Sequence, residues 1–296
     1  MPSATLQTFA ITPTGPFSLA EANGFEFGHR KPEQGEAMTM AFAADGDHRP
    51  VGVVLRQAVV DGPVTGEVHG DVPRDAVRGQ VARILSLDHD GAGWADVIAG
   101  DPVLTRLAAG MPGLRPVLFH SPYEAAAWSI ISARRHTNQG AALRDRIATE
   151  LGTGFTLDGR VVHAFPTPER LIDGLRPGQG LTEEHVNRLI GVARAAADGD
   201  LDPAFLKSLG PEGATARLLD LKGIGPFYAM LIALRGTGFS DSEPPAEPRF
   251  RAALGKAYDL DGPATDAQAR EIAERWRPYR MWASVTFRAA AARGLL

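Results

Sequence analysis

The period of the hydrophobic positions changes once along this chain. Residues 6–12, 36–43, 51–60 and 64–70 are short β-rich runs, with Thr39, Phe42, Val51, Val53, Val54, Val59 and Val60 between Gly, Pro and Asp clusters. Asp71-Val72-Pro73 then opens an amphipathic stretch through about Leu87, with Val77, Val81, Ile84 and Leu85 on one side. This predicts a small α+β domain over residues 1–90, with a helix covering its strands. After Asp88-His89-Asp90-Gly91-Ala92-Gly93 the spacing becomes helical, over about 94–109, 121–134, 138–152, 167–174, 183–198, 203–208, 211–221, 226–236, 247–258 and 265–293. One strand signal remains there, a hairpin at 155–163 around Asp158-Gly159. The expected class is α+β, mostly α: a β-rich N-terminal domain followed by a helical region over 91–296.

Composition narrows this picture. A chain of 296 residues, 44% hydrophobic, can bury a sizeable core, and its length suggests two or three domains. It contains no cysteine, which excludes a disulfide framework, a thiolate zinc site and a cysteine-ligated iron–sulfur cluster. Neither a signal pattern nor an apolar run of transmembrane length is present, so a soluble intracellular protein with no membrane partner is expected. Net charge is −4, but residues 1–100 hold seven basic and thirteen acidic side chains, which leaves a net positive remainder. Arg270, Arg275, Arg277, Arg280, Arg288 and Arg293 face only Glu271 and Glu274 near the C-terminus. A polyanion would be met there, because local potential steers association; a solvated helix face explains the same charges. His120, His136, His163 and His185 show no metal-ligand spacing of the His-x-x-x-His kind, so no metal is expected and they read as solvated or hydrogen-bonded. No Gly-x-Ser-x-Gly elbow, dinucleotide fingerprint or kinase signature occurs.

The densest chemistry lies in the stretch from Leu218 to Gly236. An apolar helix end runs into Gly223-Ile224-Gly225, and Pro226 stands where proline favours a helix start. Phe227, Leu231 and Leu234 recur at helical spacing. Two glycines permit a tight bend and leave amide N–H groups uncovered at a helix N-terminus, a ready site for a phosphate. An isolated Gly-x-Gly is usually only a turn, and this one is not a P-loop: no strand precedes it and no Gly-Lys-Ser/Thr follows.

Further anchors fall in order around it. Ser121-Pro122-Tyr123-Glu124-Ala125 precedes an apolar helix ending Trp128-Ser129-Ile130-Ile131-Ser132; Ala164-Phe165-Pro166-Thr167-Pro168-Glu169-Arg170-Leu171 follows; Ala273-Glu274-Arg275-Trp276-Arg277-Pro278-Tyr279-Arg280 comes last. Each also has a local reading: Ser121-Pro122 and Thr167-Pro168-Glu169 as helix caps, and Trp276 to Tyr279 as a helix end or kink packing its aromatics. Together, over about residues 113–293, they make the chain resemble the helix-hairpin-helix DNA glycosylase superfamily, and within it the bacterial DNA-3-methyladenine glycosylase II family.

The resemblance implies a helical core of two subdomains flanking a cleft, double-stranded DNA containing damaged bases as partner, a monomer, and a place in the cytoplasm at the bacterial nucleoid. It implies no required cofactor and leaves room for a monovalent cation on the hairpin's backbone carbonyls. In the family a catalytic aspartate lies twenty-two residues past the second glycine; here that residue is Glu247, within Pro244-Pro245-Ala246-Glu247-Pro248-Arg249, with Asp241 and Glu243 as nearby alternatives. Cleaving a base from deoxyribose builds positive charge on the sugar, which a fixed anion stabilises while it orients water. The resemblance assigns Lys222, Gly223, Ile224, Gly225, Arg134 and Arg249 to DNA, and Phe227, Leu231, Trp128 and Arg288 to the base pocket. Phe227 stands where lyase-type relatives carry a nucleophilic lysine, which implies a monofunctional enzyme. Three positions depart from the family: Glu for Asp at 247, Arg288 for a pocket tryptophan, and Ala133-Arg134-Arg135-His136 for the segment that fills the gap of a flipped base. The expected function is therefore a base-excising N-glycosidase for alkylated bases. The alternatives are a catalytically weak or inactive DNA-damage binding protein of the same fold, or a helical scaffold whose β-rich domain recognises a protein or small ligand.

Overall fold

The computed structural model describes residues 7–30, 35–178, 180–243 and 246–296. Strand β1 (Gln7–Ile11), helix α1 (Leu19–Asn23) and strands β2 (Ala37–Ala43), β3 (Pro50–Gln57) and β4 (Val64–His69) open the chain. The four strands form an antiparallel sheet in the order β1-β4-β3-β2. Helix α2 (Arg74–Ile84) shares a core with Met38, Met40 and Phe42 of β2 and Val51, Val53 and Leu55 of β3. The alternate residues Ala37 and Val54 face the other way. They are met by Leu157 of the second hairpin, described below, so β2 and β3 are covered on both faces. That double cover is why their sequence reads as an apolar run rather than an alternation.

The helical part comprises α3 (Gly91–Ala99), α4 (Pro102–Ala109), α5 (Pro122–Ser132), α6 (Thr137–Leu151), the hairpin β5 (Thr153–Leu157) and β6 (Arg160–Ala164), then α7 (Pro168–Gly174), α8 (Glu183–Ala197), α9 (Pro203–Ser208), α10 (Gly210–Leu219), α11 (Pro226–Thr237), α12 (Pro248–Ala257), α13 (Asp266–Glu274) and α14 (Arg280–Ala292). Asp158 and Gly159, with φ of 46° and 77°, make the two-residue turn of the expected hairpin, where both positions need positive φ. Prolines open α4, α5, α7, α9, α11 and α12, where a missing N–H is no loss. Ser121 and Thr167 cap as read, accepting from Glu124 N at 3.1 Å and Arg170 N at 3.4 Å.

The structure differs from the sequence reading in four local places. Helix α1 is too short to show a period. The stretch 94–109 is two helices, because Asp101 turns back to cap α4. The first long helix ends at Ile84 rather than Leu87. The stretch 265–293 breaks between α13 and α14 at the bend carrying Trp276 and Tyr279, both buried.

Two cores result. One joins the sheet and α2–α4 to α12–α14, with Trp276, Trp282 and Phe287 fully buried; the other lies within α5–α11. The change from strands to helices near residue 90 is therefore not a change of core. Helix α11 sits on the border, giving Leu234 to the first core and Ala229, Ile232 and Ala233 to the second. No helix among the described residues is long and apolar enough to cross a membrane.

Candidate functional site

The bend between α10 and α11 is pinned from inside. Ile224 is buried in the second core and donates to the Leu221 carbonyl at 3.0 Å. Gly223 has φ +96°, and a Cβ there would lie 2.7 Å from Cδ of Arg188, so only glycine passes this point without strain. The N–H groups of Gly223, Gly225, Phe227 and Tyr228 make no hydrogen bond among the described residues. They lie at the positive end of α11, with exposed Lys222 beside them. Arg188 of α8, ion-paired to Glu184, adds a second cation at the bend that the sequence reading did not name.

Phe227, Leu231 and Arg235 are spaced four apart and share one face of α11. Phe227 is half exposed, with the Tyr228 ring edge-on at 5.4 Å. Tyr228 Oη lies 3.3 Å from Ser132 Oγ, which ties the start of α11 to the end of α5. Arg134 follows that end with φ +57°, an unusual value for a non-glycine residue, and its exposed side chain has no partner among the described residues. Arg135, by contrast, is committed to the carbonyls of Ile131 and Gly180, at 2.7 Å and 2.6 Å. Trp128 is buried in the second core, with its ring 6.1 Å from His29.

The loop from α11 to α12 is held by arginines of the C-terminal bend. Buried Arg280 donates from Nε to Asp241 Oδ1 at 2.7 Å and from Nη1 to Glu243 Oε1 at 2.6 Å. Arg277 Nη1 reaches Asp241 Oδ2 at 3.1 Å, and Met281 N bonds the Ser240 carbonyl at 3.0 Å. Hydrogen bonds donated to Asp241, outweighing burial, raise the Arg280 pKa. Asp241 and Glu243 are thus held by arginines of the bend. Much of the C-terminal arginine cluster is neutralised in the same way. Pro244 and Pro245, which the sequence reading makes stiffeners of this loop, lie outside the described residues.

Glu247 occupies the N-cap position of α12, but its carboxylate caps nothing. It points instead toward Arg288, with Oε2 3.8 Å from Nη1, and its side chain keeps 29% exposure. Arg249 follows in the first turn of α12, exposed. Arg288 lines a cavity of about 270 Å³ together with Phe25, Phe27 and Arg235. The Arg235 guanidinium carbon lies 3.6 Å from the Phe27 ring centroid, and the group donates to the Val117 carbonyl. Burial, with the charge of Arg288 adding, pushes its pKa down to about 9. The helical spacing from Phe227 could have exposed Arg235 in the sequence. Nothing there could have placed Phe25 and Phe27, from a segment some two hundred residues away, against it.

A glycine bend, a helix leading from it toward a carboxylate whose arginine partner lines a cavity, and a second core behind the bend together make the candidate site. Of solved structures, the 3-methyladenine DNA-glycosylase of Archaeoglobus fulgidus has the same fold, with a TM-score of 0.74 over 94% of this chain and 96% of that one, at 22% identity. A probable bifunctional transcriptional activator/DNA repair enzyme AlkA of Mycobacterium tuberculosis is 28% identical over 205 residues, 68% of this chain. The match spans 40% of that relative's length. The DNA-3-methyladenine glycosylase 2 of Escherichia coli is 30% identical over 183 residues, 61% of each chain. No family model matches. The chain has the fold of the helix-hairpin-helix DNA glycosylase superfamily. Within it, the chain resembles DNA-3-methyladenine glycosylase II.

Proposed function

We propose that this chain is a monofunctional DNA glycosylase, acting as a monomer in the bacterial cytoplasm and releasing a damaged base from duplex DNA to leave an abasic site. The placement of Glu247 carries the reading: a partly exposed carboxylate, free of capping duty, paired with the arginine that lines a base-sized cavity and twenty-two residues past Gly225. In this reading the uncovered amides of the bend and Lys222 hold phosphates, and Arg249 adds charge. Arg134, projecting without a partner, enters the gap left by the flipped base. As the C1′–N bond breaks, positive charge grows on the sugar; Glu247 stabilises it and takes a proton from the attacking water, while the base leaves with the bonding electrons. Among the described residues the carbonyls of Lys222 and Gly223 accept no backbone hydrogen bond, so a monovalent cation bridging bend and phosphate fits there. The test is base release from duplexes carrying alkylated, deaminated and oxidised bases; release of none of them by folded protein would overturn the reading.

Two predictions belong to this site. Lys222→Ala should weaken duplex binding evenly across sequences and lower the slope of log K against log salt by about 1, measured by fluorescence anisotropy over a salt series. Names of relatives point to alkylated purines, yet Arg235 and Arg288 put two cations beside the cavity. Neutral lesions should therefore be excised faster than cationic ones. Arg288→Ala should shift the kcat/KM ratio several-fold toward cationic lesions, because a like charge is removed.

The Arg288–Glu247 pair also favours a second reading, a damage-binding protein whose carboxylate is neutralised. Tight, salt-sensitive binding to abasic duplex without base release, in the wild type and in Arg288→Ala, selects it.

A further inference from the structure

We propose that His29, His120 and Glu124 form a binding site for a divalent transition-metal cation, separate from the cavity beside Glu247. One donor atom from each of the three lies within 4.8 Å of the others. His120 and Glu124 are buried, and His29 is partly so. His120 Nδ1 is 3.2 Å from Glu124 Oε2, and Arg144 Nη2 is 3.3 Å from the same oxygen. Glu124 Oε1 is left buried with no hydrogen-bond partner among the described residues. An orphaned buried carboxylate oxygen is costly unless something fills its coordination.

Two imidazoles and one carboxylate suit zinc and its first-row neighbours, which bind such donors at about 2.0–2.2 Å. Donor atoms would then stand about 3–3.5 Å apart, so a small rotation of the His29 ring closes the set. Arg144 stays on Oε2 and orients the carboxylate from outside, the usual work of a partner behind a metal ligand. Its positive charge opposes a dication, so modest affinity is expected. A cavity of about 220 Å³, lined by His29, His120, Arg144, Thr39 and His163, opens onto the site and admits water to the remaining position. Thr39 Oγ1, buried there without a partner, can bond that water.

The ligands come from two places. His120 and Glu124 are four apart at the start of α5, where the Ser121 cap fixes the turn between them. His29 lies two residues beyond Phe27, on the segment between α1 and β2. A bound cation therefore fastens that segment to α5, and the same segment carries Phe25 and Phe27 to the wall of the Arg288 cavity.

The experiment titrates chelator-treated full-length protein with Zn²⁺ by calorimetry and with Co²⁺ by visible absorption, and records Tm with and without Zn²⁺. The expected result is one equivalent bound, a cobalt spectrum of low-coordinate N/O type, and a Tm raised by the metal. All three should be lost in His29→Gln, whose fold is checked by circular dichroism. Absence of binding to the wild type, or identical stoichiometry, spectrum and Tm shift in folded His29→Gln, overturns the proposal. None of these readouts depends on DNA or base release.

Discussion

Glu247→Gln should lower base release by at least about 10²-fold while leaving duplex binding and Tm nearly unchanged. The substitution keeps shape and removes charge, so it isolates the anion's effect on the developing sugar cation. It should not disturb folding, because the Glu247 side chain caps nothing and is held, among the described residues, by Arg288 alone at 3.8 Å. Single-turnover kinetics on the best lesion substrate, beside anisotropy on an abasic duplex, separate the two effects. An unchanged rate removes Glu247 from the chemistry. Glu247→Asp adds a geometric check. Arg280 and Arg277 anchor the loop at Asp241 and Glu243, so the backbone cannot simply follow a shorter side chain. A retreat of ~1 Å can cost about 10²-fold, and the Asp variant should be slower than wild type.

Asp101→Ala should destabilise the fold by about 3–5 kcal/mol, within the sum of a lost helix cap at about 1 kcal/mol and two buried donors left without an acceptor at about 1–3 kcal/mol each. Asp101 is 1% exposed and accepts from Val103 N at 2.9 Å, Leu104 N at 3.2 Å, Trp276 Nε1 at 3.1 Å and Tyr258 Oη. It is the cap of α4 and the meeting point of three stretches of the first core. Alanine would leave the buried indole N–H and the phenol without an acceptor. Thermal or urea unfolding measures the loss; a change within error of wild type would refute the network's role. The pH dependence follows from the same contacts. Burial alone would raise the Asp101 carboxyl, but hydrogen bonds from Tyr258 and Trp276 outweigh it and hold the pKa below its ordinary value. A lowered folded pKa means the stabilisation is complete above the unfolded value, about 3.9, and is lost as pH falls through the folded one. The variant should lack that part of the acid unfolding curve.

Much of the architecture was legible because its signals are local. Asp158-Gly159 needs positive φ at both residues, and six helices start on prolines that other residues could only approximate. The bend at Gly223 was legible for the same reason. The break within 265–293 was half legible: Trp276 to Tyr279 read as a kink with packed aromatics, but not as the base of the clamp on Asp241. Arg280 looked like one more solvated charge until the loop folded onto it. The candidate acid's register, twenty-two residues past Gly225, was also available from the sequence, through the family resemblance. Its neighbour Arg288, its loop anchors, and the phenylalanines opposite were not.

By itself, then, the sequence determined the strand-to-helix order, the glycine bend and the candidate carboxylate's position along the chain. Those depend on backbone conformation and on distance along the polymer, which nearby residues control. Only the tertiary structure decided which core each helix joins, that Asp241 and Glu243 are spent on arginines, and that His29 meets His120 and Glu124. Such outcomes depend on which distant side chains can satisfy one another's charges and hydrogen bonds once water is excluded, and a linear pattern does not encode that choice.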